Sequence, residues 1–300
     1  MSWWTPRSSA RPASPWANSE PTRSNEDRAM LYPDLKGKTA LITGAGRPTG
    51  IGFSIARSLA ASGMDCILAD LPGDETGDSL HGCVAALRRE CGTRAWPLEL
   101  DLSAPDGPLC VEQSVDRVRR LAPGLRVLVN NAGVMPPPAP LGEAEPERWR
   151  AVMEVNLFGP FRMVRAFLPL LADGGVIINM ASRAGKRPLP QRSAYSVSKA
   201  ALIMLTKCLA VEYGPRGLRA NAICPGQILT DLNRRRYAQE ASALKIPPEE
   251  RMRQIAGDIP SSRLGYPEDV AGLAAFLASE ASSFITGQAF NVCGGQLVEA

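Results

Sequence analysis

From Lys38 to Gly295 the chain alternates short apolar runs with amphipathic stretches, and this alternation limits its possible folds more than any single motif does. The runs KTALITG (38–44), DCILADLP (65–72), WPLELDLS (96–103), LRVLVNNAG (125–133), GGVIINMAS (174–182), LRANAICPG (218–226) and AFNVCGG (289–295) are short and rich in Val, Ile and Leu, as strands buried on both faces are. Between them lie helical patterns such as GIGFSIARSLAASG (50–63), CVEQSVDRVRRLAP (110–123) and PEDVAGLAAFLASE (267–280). Strand, helix, strand in strict order, with apolar strands buried on both faces, implies a mainly parallel sheet with helices on both faces, a doubly wound α/β domain.

That domain is expected to span residues 36–300. Residues 1–35, with three tryptophans before residue 17, many serines and prolines and no period, read as a disordered N-terminal extension. The charged, proline-bearing stretch 227–262 interrupts the rhythm after the sixth strand. Ligands in such folds sit beyond the carboxyl ends of the strands, so this stretch is expected to be a substrate lid.

Composition narrows the partners. A net charge of +4 without blocks of like charge argues against nucleic acid. Seven cysteines without a CxxC pair and a single histidine, His81, make a poor metal set, so no metal is expected and reduced thiols in a cytoplasmic protein are. With neither a secretory leader nor an unbroken apolar run of about 18–20 residues, no membrane association is expected.

The segment TGAGRPTGIG (43–52) follows the first strand and opens the first helix, the context of a phosphate-binding glycine loop. Gly44, Thr49, Gly50, Ile51 and Gly52 are therefore candidate contacts to a dinucleotide. Asp70 closes the second strand, where a carboxylate accepts hydrogen bonds from an adenosine ribose and repels a 2′-phosphate, which favours NAD over NADP. Arg47 is the contrary signal, since its guanidinium suits a 2′-phosphate. Asp101 and Leu102, ending the third strand, are expected to bracket the adenine, and Asn131, Ala132 and Gly133 to let backbone lie against the adenosine.

In SAYSVSKAAL (193–202), Tyr195 and Lys199 stand at i and i+4 on one helix face. Ser182 ends the fifth strand, and Asn156 lies in a long preceding helix. A phenol is a weak base at neutral pH unless a neighbouring cation favours its ionised form, so Lys199 is expected to lower the Tyr195 pKa. These four are the candidate catalytic residues, suited to acid/base work on an alcohol.

Taken in order, TGAGRPTGIG, NNAG, Asn156, Ser182, YSVSK and CPG resemble the short-chain dehydrogenase/reductase family over about residues 36–297. The resemblance implies a Rossmann-type domain and an NAD(P)-dependent enzyme acting on a secondary alcohol and its ketone or lactone, with a sugar or polyol as substrate. The run RAGKRPLPQR (183–192) after Ser182, with four basic and no acidic residues, and Arg234, Arg235 and Arg236 in the expected lid read as a solvated basic surface or as the mark of an anionic substrate. It implies that Tyr195 exchanges the proton, Ser182 hydrogen-bonds the same oxygen, Lys199 also holds the nicotinamide ribose, and Asn156 positions a water. Pro225, Gly226, Ile228 and Thr230 match the segment that binds the nicotinamide amide. A homotetramer or homodimer through the two long helices is a further expectation. Two positions depart from the family pattern: five residues rather than three separate Gly44 from Gly50, and Cys293 stands where relatives commonly carry Asp. An NADPH-dependent 3-oxoacyl thioester reductase and a non-catalytic dinucleotide-binding regulator are the competing readings.

Overall fold

Seven parallel strands in the order β3-β2-β1-β4-β5-β6-β7 form the centre of the structure, a computed structural model that describes residues 31–73 and 79–299. The strands are β1 (Thr39–Thr43), β2 (Asp65–Asp70), β3 (Ala95–Glu99), β4 (Leu125–Asn130), β5 (Leu171–Met180), β6 (Arg219–Pro225) and β7 (Ala289–Val292). Every residue of β1 and β6 is buried; β1 accordingly reads as a near-continuous apolar run, while the buried Arg219 and Asn221 of β6 donate to the Leu277 and Ile285 carbonyls. The order reverses between β1 and β4, so the loops after these strands part and open a crevice at the carboxyl edge.

Helices cover both faces. On one side α1 (Ile51–Ala61), α2 (Ser79–Cys91) and α9 (Pro267–Ala278) enclose a core that includes Ile42, Ile55, Leu59, Leu68 and Leu277. On the other, α3 (Val111–Leu121), α5 (Gly159–Phe167) and α6 (Ser193–Tyr213) enclose Leu41, Val118, Leu128, Phe167 and Ile177. Alternate residues of β1 thus feed opposite cores, as the two-residue period of a strand requires.

Three details differ from the sequence reading. The long fourth helix is not continuous: α4 (Pro146–Met153) passes through a π-helical turn at Glu154–Phe158 into α5. Stretch 227–262 carries its own helices, α7 (Asp231–Leu244) and α8 (Pro248–Gly257), which close over a small core of Tyr237, Ile255, Ile259 and Leu264. Of the expected N-terminal extension, residues 1–30 lie outside the described residues. Pro33–Leu35, however, forms a 3-10 turn whose Leu35 is fully buried, so the folded unit begins before residue 36.

α6 is the helix, among those described, that is long and apolar enough to cross a bilayer by length and mean hydropathy, which the sequence reading did not anticipate. Its inward residues Leu202, Ile203 and Leu209 pack in the protein core, so these criteria alone are weak evidence of a membrane span.

Candidate active site

The glycine loop is built by its neighbours. Gly44 has φ +66°, a left-handed conformation that side chains rarely adopt, and at Gly52 a Cβ would lie 2.3 Å from the Gly44 carbonyl oxygen. The helix can therefore start against the loop only because residue 52 has no side chain. Asn131 Nδ2 donates to the carbonyls of Thr43 and Gly44, each at 2.9 Å, and Thr43 Oγ1 accepts from the backbone N–H of Asn131 and Ala132. Much of the NNAG signal is thus a brace for the loop, while Ala132 and Gly133 line the crevice with Asn131.

The two extra residues bulge outward, with Arg47 and Pro48 exposed. Behind them Asp70 Oδ2 accepts from the Gly46 N–H at 2.7 Å, and Oδ1 from Leu71 N–H at 2.9 Å. This carboxylate anchors the lengthened loop while remaining on the crevice wall. The crevice has a volume of about 530 Å³, and Gly44, Thr49, Gly50, Ile51, Asp70, Asp101, Leu102 and Thr230 line it together with Arg47 and Arg235. Asp101 and Leu102 lie just beyond β3, which ends at Glu99, rather than in the strand. Gly52 is buried beneath the loop, without a place on the wall.

Ser182, Tyr195 and Lys199 line a second, smaller cavity of about 170 Å³ together with Pro225, Gly226, Ile228 and Thr230. Ile51, Asn131, Gly133, Val134, Met135, Thr230 and Leu232 border both spaces, which therefore adjoin at the carboxyl edge of the sheet. Ser182 lies two residues past the end of β5, where its Oγ caps a short 3-10 turn by accepting from Ala184 N–H at 3.1 Å. Its hydroxyl also hydrogen-bonds the Tyr195 phenol.

Asn156 is fully buried in the π-helical turn. Its carboxamide accepts from Val134 N–H at 2.8 Å, donates to Val134 O at 2.9 Å, and donates to Ser198 Oγ at 3.1 Å. Ser198 Oγ in turn donates to the Tyr195 carbonyl at 2.8 Å. Asn156 thereby ties the segment after NNAG to the helix of Tyr195 and Lys199. Sequence reading missed Val134 and Ser198, a backbone partner and a serine within YSVSK that carry no motif signal of their own. Pro136 and Pro137, just beyond NNAG, border a separate recess beside Trp149.

Lys199 is buried, its Nζ 5.8 Å from the Tyr195 ring centroid and donating to Met180 O at 2.8 Å. Burial pushes its pKa from 10.5 down to about 8. Tyr195 moves the other way: desolvation raises the phenol, and Ser182, Arg236 and Arg192 pull it back only in part. In the chain without its cofactor the Lys199 ammonium faces the Met180 carbonyl, and at the phenol burial outweighs the surrounding cations.

A consequence is measurable. Between about pH 8 and 10.5 the folded chain binds fewer protons at Lys199 than the unfolded chain does, so this group's contribution to stability rises with pH there and its full penalty applies below about 8. Lys199→Met is expected to be more stable than the wild type at pH 7 in urea denaturation, with the advantage shrinking from pH 8 upward. The other buried thiols and phenols titrate in both proteins; Cys224, which Lys199 pulls down, is held by burial at about 11, above this window. An advantage independent of pH would refute the assignment.

Cys293 is buried against the Pro225–Gly226 turn, where a Cβ on Gly226 would lie 2.8 Å from the Cys293 Cβ. Its Sγ lies 3.7 Å from Leu297 O. The departure from Asp is therefore accommodated by packing. Among the described residues, no three His, Cys, Asp or Glu side chains cluster as metal ligands.

Comparison with known proteins gives concordant matches. The family model described as enoyl-(acyl carrier protein) reductase matches residues 44–296. The 3beta-hydroxysteroid dehydrogenase 1 of Eggerthella lenta is 38% identical over 269 residues, covering 88% of this chain and 95% of the relative. The NAD-dependent glycerol dehydrogenase of Listeria innocua is 34% identical over 271 residues, covering 89% and 96%. The crystal structure of L-sorbose reductase from Gluconobacter frateurii, complexed with NADPH and L-sorbose, superposes with a TM-score of 0.82 at 32% identity and covers 89% of this chain and 98% of that one.

Proposed function

Because this chain belongs to the short-chain dehydrogenase/reductase family and is an oxidoreductase of secondary alcohols and ketones, we propose that its cofactor is NAD and its catalytic residues are Asn156, Ser182, Tyr195 and Lys199. The observation that carries this reading is the meeting of the two cavities, one lined by the glycine loop and Asp70, the other by Ser182, Tyr195 and Lys199. The fit to a dinucleotide rests on the braced loop, where the close approach of Gly52 to Gly44 starts the helix at the crevice wall that Gly50 and Ile51 line, and a helix N-terminus favours a pyrophosphate.

In this reading Gly44, Thr49, Gly50 and Ile51 cradle the pyrophosphate, Gly52 lets the helix begin there, and Asp70 binds the ribose hydroxyls. Asp101, Leu102, Asn131, Ala132 and Gly133 border the adenosine side. Pro225, Gly226, Ile228 and Thr230 orient the nicotinamide end. When bound, the nicotinamide would accept the hydride as NAD or supply it as NADH. Tyr195 gives the proton to a carbonyl oxygen or takes it from a hydroxyl, and Ser182 hydrogen-bonds that oxygen. Lys199 holds the ribose and keeps positive charge near the phenol, while Asn156 supports the proton path by holding Val134 and Ser198 in place. Arg47 on the same crevice supports the competing NADPH reading. The test is nicotinamide reduction by the purified chain against sugars, polyols, hydroxy acids and sterols, with NAD and NADP in parallel. Tight cofactor binding without turnover on any of them would favour the regulatory reading.

We further propose a cytoplasmic homotetramer. Seven free thiols support a reducing compartment. Phe158, Phe161, Val197, Met204 and Val211, on α6 and the helix before it, are large apolar side chains open to solvent, the composition of an unpartnered face. Light scattering is expected to give a mass near four times the 32.1 kDa chain; the mass of a single chain would overturn this.

A further inference from the structure

The catalytic cavity is lined by three cations, Arg183, Lys199 and Arg236, and by no carboxylate. Two of the three have partners. Lys199 donates to Met180 O. Arg236 donates to Gln227 Oε1 at 2.6 Å, lies 3.5 Å from Glu240 Oε1, and stacks 4.8 Å from the Tyr237 ring centroid. Arg183 is half-buried; its backbone carbonyl accepts from the N–H groups of Lys186 and Arg187, but among the described residues its guanidinium has neither a hydrogen bond nor an ion pair.

The other basic residues near it are engaged or turned away. Lys186 pairs with Glu299 at 2.5 Å and donates to Ala289 O, Arg192 donates to the Pro136 carbonyl, and Arg187 is exposed. In the lid helix, Arg234 is exposed outside both cavities and Arg235 borders the larger crevice. Of the basic run after Ser182, Arg183 is the member that lines the cavity.

An unpaired guanidinium withdrawn from water loses hydration without compensation. Burial lowers the Arg183 pKa; Cys293 opposes this, while Arg187 and Arg236 add to it. Such a group is suited to a ligand that brings the missing anion, since the planar fork of an arginine matches a carboxylate. Arg183 directly follows Ser182 on the capped 3-10 turn, so its position relative to the hydroxyl is set by local backbone.

We propose that the substrate is a small hydroxy or oxo acid whose carboxylate is received by Arg183, with Arg236 adding positive potential from the lid. This rests on the oxidoreductase reading above and names its substrate class.

The test uses the full chain with matched substrates, 3-hydroxybutyrate and gluconate against methyl 3-hydroxybutyrate and sorbitol. An acid is expected to exceed its neutral counterpart by about tenfold or more in kcat/KM, and Arg183→Gln to collapse that ratio mainly through the KM of the acid. Arg183→Lys is expected to restore part of it. Equal or better turnover of the neutral members, or an equal loss on acid and neutral substrate in Arg183→Gln, would overturn the inference while leaving the oxidoreductase reading intact. If no member turns over, acetoacetate is titrated into the NADH complex and read by nicotinamide fluorescence. Saturable binding weakened about tenfold in Arg183→Gln supports the inference. Absence of binding to an NADH-loaded chain overturns it, and failure to bind NADH or NADPH at all overturns the parent reading too.

Discussion

Tyr195→Phe is expected to lower kcat by about a thousandfold or more on any alcohol the wild type oxidises, with NADH binding little changed. General acid/base transfer by a positioned side chain contributes about 10²–10⁴ in rate, and phenylalanine removes the proton-carrying atom while keeping the ring. Packing is retained, because the ring fills the same wall of the cavity and the hydrogen bond that disappears is the one from Ser182. A fall in kcat and kcat/KM together marks an interaction made in the transition state, whereas a rise in KM alone marks simple binding. The Ser182–Tyr195 hydrogen bond also makes Ser182→Ala a graded control, since it removes a partner of the reacting oxygen but leaves the proton donor. A Tyr195→Phe protein that keeps more than about a tenth of the wild-type kcat would remove Tyr195 from the proton path and reopen the regulatory reading.

The parts of this site that could be read from sequence depend on short-range spacing. Tyr195 and Lys199 meet because an α-helix brings i and i+4 to one face, and Ser182 reaches them because a buried β-rich run ends just before it. Asp70 was legible in the same way, as the acid that closes the second strand. What stayed hidden depends on hydrogen bonds between distant segments. Nothing in the helix period announces the π-helical turn at Glu154–Phe158, yet it buries Asn156 against Val134 and Ser198, which are 22 and 42 residues away. Asn131 looked like a ligand contact and is also a clamp on the loop, because its amide meets carbonyls that become neighbours only when β1 and β4 pair. The three lid arginines have one chemical signature, and helix geometry sends them to different surroundings, so only their placement separates Arg236 from Arg234. The charge run after Ser182 divides likewise, into structural partners and one cavity residue.

The Asp70 carboxylate is expected to make the wild type prefer NAD, and Asp70→Asn to shift the NAD/NADP ratio of kcat/KM toward NADP by about a hundredfold, or close to 2.8 kcal/mol at about 1.4 kcal/mol per decade. The basis is repulsion: Asp70 stands on the crevice wall where a ribose 2′-phosphate would approach it, and like charges brought together out of water cost several kcal/mol. Asparagine is the informative substitution because Asp70 has a second task. Its Oδ2 accepts from Gly46 N–H, and an amide oxygen can keep that bond and the lengthened loop with it while the exposed bond from Leu71 N–H is given up, whereas alanine would release both and confound charge with geometry. Arg47 gives the complementary arm. Exposed on the bulge beside Asp70, it can favour a 2′-phosphate once the carboxylate is neutral, so Asp70→Asn with Arg47→Ala should gain less NADP activity than Asp70→Asn alone. A wild type that already prefers NADP, and loses that preference in Arg47→Ala, would reverse the assignment. The two inserted residues would then be a phosphate-binding device, and the anchored carboxylate of Asp70 a purely structural one.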